Sequence, residues 1–347
     1  MPAASILIKP ASANCNMDCK YCFYKCLSSH REEYSKGFMK EETLETLVRE
    51  AIAYADGSLT FAFQGGEPTL AGLDFFQKAV ELQQKYNNKK LQIENTIQTN
   101  GLLIDEKWAR FLGEHRFLVG LSLDGPKKMH DRYRKDAAGQ DTFARIMHSV
   151  QLLEQYHVDY NVVTVVTNDT AKQASFLYKF WKRNHYPFVQ FIPCMDEIKR
   201  QDGTQERSIY AVEPEQYGKF LCELFDLWYA DFVAGETMDI RMFSNLAQMA
   251  AGYPAEECGM NGCCNCYFVV EGDGSVYPCD FYCMDAWKLG TVNDGFVQMK
   301  TSEKAKAFVE ASRPVCATCQ ECPYFSLCRG GCRRWREPFV DGKPGLN

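Results

Sequence analysis

The chain has 347 residues, 46% of them apolar, enough to bury a full-sized core as one large domain or as a barrel with an appendage. Its 39 basic and 45 acidic side chains leave a formal charge of -6 with no basic run or arginine-rich arm, which argues against a nucleic-acid partner. The amino terminus lacks the charged flank and apolar core of a secretion signal, and no stretch approaches the roughly twenty apolar residues of a membrane span, so a cytoplasmic protein with no membrane association is expected.

Short β-rich runs alternate with segments of helical period up to about residue 193. Strands are predicted at 5–9 (SILIK), 59–63, 91–97, 117–123, 160–166 and 188–192, and helices at about 40–55, 73–86, 105–114, 142–156 and 172–184. This alternation predicts an α/β protein built as a partial (β/α)6 barrel, whose reactive residues gather at the carboxyl ends of the strands. CNMDCKYC follows the first strand, QGGEP the second and QTNG the third, and SLDGP ends the fourth. Residues 214–234 read as a long amphipathic bridging helix. Two units follow: 1–234 with the barrel and bridge, and 235–347 as a cysteine-rich extension. The extension carries a hairpin-like CYFVVEGDGSVYPCD and too few apolar residues for a core of its own, so bound metal is expected to hold it together.

Seventeen cysteines in a reducing compartment point to metal ligation or thiol chemistry rather than disulfides. Four lie at 15–26 and eleven at 258–332, while residues 27–193 have none, so two separate metal-rich regions are inferred. Cys15, Cys19 and Cys22 have the spacing C-x3-C-x2-C, and thiolates this close together select zinc or an iron-sulfur cluster. A structural zinc site completed by Cys26 is the simpler alternative.

This spacing, with Tyr21 just before the last cysteine, resembles the radical S-adenosylmethionine (radical SAM) superfamily. There three thiolates hold a 4Fe-4S cluster whose fourth iron chelates SAM, which leaves Cys26 spare. Gly65-Gly66-Glu67-Pro68 resembles the superfamily's glycine-rich segment, where backbone meets the methionine part of SAM; glycine permits that approach. The same resemblance makes Tyr21, Gly66, Glu67, Ser122, Arg134 and Met195 the expected SAM contacts. Arg134 would pair with the SAM carboxylate. Taken singly, these residues also read as a turn, a surface arginine and a core methionine.

The set CGMNGCCNC, YPCDFYC and Cys316-x2-Cys319-x2-Cys322-x5-Cys328-x3-Cys332 resembles the SPASM extension with its two auxiliary 4Fe-4S clusters. With IKPAS, CKYCFY and FQGGEPTL it is similar to the anaerobic sulfatase-maturating enzymes over essentially the whole chain. The resemblance implies Cys258, Cys264, Cys279 and Cys332 around the first auxiliary cluster and Cys319, Cys322 and Cys328 at three corners of the second. The fourth corner would come from a cysteine beyond the last one present, so either the chain is cut short of its natural end, the expectation here, or the second cluster has a missing or substituted ligand. Asp280 matches the carboxylate that the family uses as a base.

The expected activity is therefore oxidation of a Cys or Ser in a sulfatase polypeptide to formylglycine, through SAM cleavage to methionine and a 5'-deoxyadenosyl radical. The partners implied are a sulfatase carrying Cys/Ser-x-Pro-x-Arg and an electron donor such as a flavodoxin or ferredoxin. Three other readings remain: another SPASM enzyme that modifies ribosomal peptides, an iron-sulfur electron carrier and a zinc-stabilised binding module. A first strand at Ser5 leaves no room for an amino-terminal peptide-recognition domain, which weighs against many of the peptide-modifying enzymes.

Overall fold

The computed structural model describes residues 3–197, 208–236 and 238–336. Six parallel strands run side by side in chain order: β1 (Ala4–Ile8), β2 (Ser58–Phe63), β3 (Gln92–Thr99), β4 (Leu118–Ser122), β5 (Tyr160–Val166) and β6 (Phe188–Pro193). Between them come α1 (Phe23–Ser29), α2 (Glu41–Tyr54), α3 (Leu73–Tyr86), α4 (Glu106–Glu114), α5 (Lys127–Tyr133), α6 (Phe143–Gln155) and α7 (Ala174–Arg183). Sequential parallel order with helical crossovers is the partial (β/α)6 barrel expected.

The alternation within β2 explains the layering. Leu59, Phe61 and Phe63 are buried toward the helices, while Ser58, Thr60 and Ala62 point to the opposite face and stay half-buried. Phe63 meets Phe76 of α3 at 4.9 Å between ring centroids, and Phe76 meets Trp108 of α4 at 5.1 Å. Each such ring contributes about 2 to 3 kcal/mol by leaving water, and truncating Phe76 to Ala would cost about 3 to 5 kcal/mol. Helix α4 starts where Asp105 accepts a hydrogen bond from Trp108 N at 2.9 Å, a side-chain cap that sets the register of its apolar face.

The carboxyl-terminal third does not stand apart. After α8 (Pro214–Val233), β7 (Asp239–Ile240) pairs in parallel with β6, ahead of α9 (Arg241–Ala250). On the other edge β8 (Phe268–Val270) pairs in parallel with β1, and β9 (Ser275–Tyr277) and β10 (Gly290–Thr291) extend it antiparallel. Residues beyond 234 thus cover both edges of the six-stranded sheet, leaving neither central edge strand unpaired. Phe268, Val270, Val276, Phe296 and Met299 also join the main core, the last two from α10 (Phe296–Thr301). Bound metal is expected to hold this region together because its apolar residues are few; those it has bury partly against β1 and α2 and partly against one another, as Tyr282 and Phe308 do at 5.3 Å between ring centroids. Among the described residues no helix is long and apolar enough to cross a membrane.

Candidate active site

The carboxyl ends of the strands converge on one rim. Cys15 and Cys19 lie in the loop after β1, and Cys22 is the residue that begins α1. Each of the three thiols is within electrostatic reach of the others. Met17 N donates to Cys15 Sγ at 3.4 Å, and Asn100 Nδ2, from the end of β3, donates at 3.8 Å. Burial pushes Cys15 up to about 11 and Cys19 up to about 12, so both would be neutral thiols unless a cation drew off the proton. Cys26 sits one helical turn past Cys22 with its Sγ 3.9 Å from His30 Nδ1.

The segment after β2 packs directly beneath that loop. Gly66 has φ +53, and a Cβ there would lie 2.3 Å from Asn14 O and 2.7 Å from Ser12 O, so glycine is required here for the segment to pack on the loop after β1. Gly65 serves a different purpose: a Cβ there would meet Lys9 Cε at 2.3 Å. Glu67 is only 1% exposed. Its Oε1 accepts from Thr69 N, Thr69 Oγ1 and Thr99 Oγ1 at 3.1, 2.6 and 2.7 Å, and its Oε2 accepts from Asn100 N at 2.8 Å. The carboxylate ties the loops after β2 and β3 together, and its bonds are made within the protein. Burial nonetheless raises its pKa above the usual carboxylate value.

Arg134 is held by a partner within the chain. Its Nε and Nη2 grip Asp124 in a two-pronged ion pair at 2.9 and 3.1 Å, and both residues are buried. Asp124 also accepts from the Tyr21 hydroxyl and from Val165 N at 3.0 Å. The Arg134 guanidinium lies 5.4 Å from the centre of the Tyr21 ring. A carboxylate of the chain thus takes the fork of Arg134. Tyr21 and Arg134 together anchor the cysteine loop to the end of β4. Ser122 ends β4 and accepts from Gln98 Nε2 at 3.3 Å, and Met195 is half-buried just beyond β6.

Asp280 reaches the same rim from the carboxyl-terminal region. It is 5% exposed; Tyr24 donates to Oδ2 at 2.6 Å, Gln64 Nε2 donates to Oδ2 at 3.4 Å, and Lys9 Nζ stands 3.4 Å from Oδ1. Lys9, itself 2% exposed, also lies 3.3 Å from Glu271, which Arg31 holds at 2.8 Å. Burial alone would lower the Lys9 pKa, but its neighbours Cys283, Glu271 and Asp280 raise it overall. Burial pushes Cys283 up to about 12, so it is neutral at pH 7 and the two carboxylates hold the lysine's charge. Sequence reasoning missed Lys9, Tyr24, Gln64, Arg31 and Glu271. The only signal was a charged residue at the end of an apolar run, in SILIK and again in YFVVE.

Farther along, Cys258, Cys264 and Cys279 each lie within electrostatic reach of Cys332, which makes Cys332 the hub of a four-thiol group. Gly259 brings Cys258 close: a Cβ on it would be 3.4 Å from Cys332 Cβ. Cys319 and Cys322 flank one short turn, with Cys322 N bonded to Cys319 O at 3.2 Å, and Cys328 ends the next turn. The thiol of Cys316 is lowered chiefly by the backbone N–H of Cys319. The chain beyond Arg336, where a further corner was sought, lies outside the described residues.

Residues 10–179 match the radical SAM superfamily, and residues 262–323 match an iron-sulfur cluster-binding domain, SPASM. The cysteine-type anaerobic sulfatase-maturating enzyme of Clostridium perfringens (strain 13 / Type A) is 47% identical over 100% of this chain and 93% of its own. The chain belongs to the anaerobic sulfatase-maturating enzymes. The serine-type member from Bacteroides thetaiotaomicron is 34% identical over 99% of this chain and 86% of its own. A solved structure described as native anSMEcpe with bound AdoMet and Cp18Cys peptide superposes with TM-score 0.92 at 46% identity, covering 100% of this chain and 93% of that one.

Membership brings 4Fe-4S clusters and SAM as cofactors, and the donor sets fit them. Among the described residues no three His, Cys, Asp or Glu side chains close on a point as a single metal ion requires. A four-iron cubane instead spreads its thiolates around a body far larger than one ion, which suits cysteines that feel one another without touching.

Proposed function

We propose that this member of the family oxidises a Cys or Ser in a sulfatase polypeptide to formylglycine, with Asp280 as the proton acceptor. The observation that carries this reading is the clamp on Asp280, fixed from three sides by Lys9, Tyr24 and Gln64 on the rim that also bears Cys15, Cys19 and Cys22. When bound, a reduced 4Fe-4S cluster and SAM supply a carbon radical able to take a hydrogen atom from the substrate Cβ. The residues of the chain hold and orient. Cys15, Cys19 and Cys22 hold the cluster, the backbone at Gly66 and the side chains of Ser122 and Met195 border SAM, and Tyr21, Glu67 and Arg134 keep those loops in register.

Once the substrate has lost that hydrogen atom and one further electron, which an auxiliary cluster would accept when bound, its thiol or hydroxyl proton passes to Asp280. A cysteine substrate becomes a thioaldehyde that water converts to formylglycine, and a serine becomes the aldehyde directly. Burial and the charge of Asp280 raise the Tyr24 pKa, so Tyr24 stays a phenol and donates to Oδ2. Oδ1 faces Lys9, and the carboxylate is pre-aimed rather than free to rotate. Cys258, Cys264, Cys279 and Cys332 hold one auxiliary cluster, and Cys319, Cys322 and Cys328 hold three corners of another.

The greater identity to the cysteine-type relative favours a Cys target. The substrate motif of this reading is Cys/Ser-x-Pro-x-Arg, the reductant a flavodoxin or ferredoxin, and the compartment the cytoplasm. The test is anaerobic reconstitution with SAM, a reductant and a peptide carrying Cys-x-Pro-x-Arg, read by mass spectrometry. Formylglycine with matching 5'-deoxyadenosine is expected; 5'-deoxyadenosine with unchanged peptide would remove the substrate assignment.

A further inference from the structure

The stretch after Cys332 reads Arg333-Arg334-Trp335-Arg336, and all three arginines are buried. A surface role is excluded, and none of the proposed chemistry uses them. Arg333 lies inside an aromatic cage: its guanidinium carbon is 4.7 Å from the ring centre of Tyr282, 5.3 Å from that of Trp287 and 5.4 Å from that of Phe308, the last carried on α11 (Glu303–Glu310). Arg336 is 2% exposed and donates to the backbone carbonyls of Ser312, at 2.6 Å, and Pro314. Its Nε has no hydrogen-bond partner among the described residues, and no carboxylate among them pairs with it.

A buried guanidinium satisfied only by carbonyls is costly unless negative charge lies nearby. The four-thiol group around Cys332 would supply that charge once it holds an anionic cluster. Ser312 joins the two: its Oγ accepts from Cys264 N at 2.7 Å, while its carbonyl accepts from Arg336. Arg333 follows Cys332 directly in the chain, so the two arginines border the group from its Cys332 and Cys264 sides.

We propose that Arg333 and Arg336 are the counter-charges of the first auxiliary cluster and hold its reduction potential up. A cubane on four thiolates is anionic and gains one more negative charge on reduction, so fixed positive charge nearby favours the reduced form. The aromatic cage holds Arg333 against the apolar side and keeps water from screening it. The inference rests on assigning Cys258, Cys264, Cys279 and Cys332 to one cluster.

The test is an anaerobic redox titration followed by electron paramagnetic resonance, with iron and sulfide counted on the same samples. A Cys332→Ala variant identifies the signal of this cluster by its loss; if iron content and spectrum do not change, the ligand assignment fails. Given that signal, Arg336→Met should lower the ratio of reduced to oxidised cluster about tenfold at fixed ambient potential, at unchanged iron content, and Arg336→Lys should restore most of it. Arg333→Gln, which leaves the Arg336 carbonyl contacts in place, should shift the ratio the same way and carries the test alone if Arg336→Met does not assemble. Neutral variants that titrate like the parent, or an Arg336→Lys shift as large as that of Arg336→Met, would overturn the proposal while leaving the ligand assignment standing.

Discussion

The ammonium of Lys9 stands 3.4 Å from Oδ1 of Asp280, joining the residue after the first strand to one on the far side of the sequence. Because both groups are buried, their charges are poorly screened, and the position of the carboxylate depends on the lysine. Asp280→Asn should lower formylglycine formation by about 100-fold or more while 5'-deoxyadenosine continues to form. Lys9→Met should uncouple the two products in the same sense and also cost about 3 kcal/mol of stability, since it leaves two buried carboxylates short of a cation. The ratio of the two products, measured by mass spectrometry beside a denaturation curve, checks both.

Glycines at two sites should respond in opposite directions. Gly66→Ala would drive a methyl into the backbone oxygens of Asn14 and Ser12, so iron at the amino-terminal site should fall and stability should drop by about 1 to 3 kcal/mol. Gly218 lies inside α8 with open space around it, and Gly218→Ala should raise stability by about 0.5 to 1 kcal/mol with iron unchanged.

Iron analysis also separates Cys22 from Cys26. Cys22→Ala should lose about four irons per chain, whereas Cys26→Ala should keep them, its thiol facing His30 instead. Equal losses would return Cys26 to the ligand set.

His130 gives a pH dependence of known sign. Its Nδ1 accepts from Asp124 N at 3.2 Å, and its Nε2 donates to Thr142 Oγ1, which in turn donates to Arg134 O. A proton on Nδ1 would set two N–H groups against each other. Burial, the largest cause, outweighs the nearby Asp124 and Asp131, and the pKa falls to about 4. Between pH 6.5 and 4 the unfolded chain therefore binds a proton that the folded chain refuses, and stability declines as pH drops through that window. The decline is at most about 1.4 kcal/mol per pH unit. Denaturation curves at pH 7 and pH 5 should differ less for His130→Gln than for the parent chain.

The sequence carried the local part of the architecture well. All six barrel strands and the five helices placed between them appear within two residues of their expected bounds, because period-2 and period-3.6 apolar patterns are local properties. The cysteine loop was legible for the same reason, its spacing being short. What escaped were the partners of buried charges, near and far in the chain: Asp124 taking the fork of Arg134 10 residues on, Glu67 binding Asn100 33 residues on, and Lys9 threading past Gly65 to Asp280 at the other end of the sequence. Nothing in a window of fifteen residues records which partner a buried charge will meet. Short elements such as α5 and α9 also carried too little pattern to stand out.

The pairing of β8 with β1 has a consequence for how the protein is made. Ile6 and Phe268 are partners in register although roughly 260 residues separate them. During synthesis β1 emerges first, and the strand that covers its free edge follows at roughly 5 to 20 residues per second, a wait of roughly 13 to 50 seconds. Through that interval the growing chain presents a hydrophobic edge with unpaired backbone groups, the template on which nascent chains aggregate. The ribosome-bound intermediate, rather than the finished enzyme, is where a holding chaperone has something to bind.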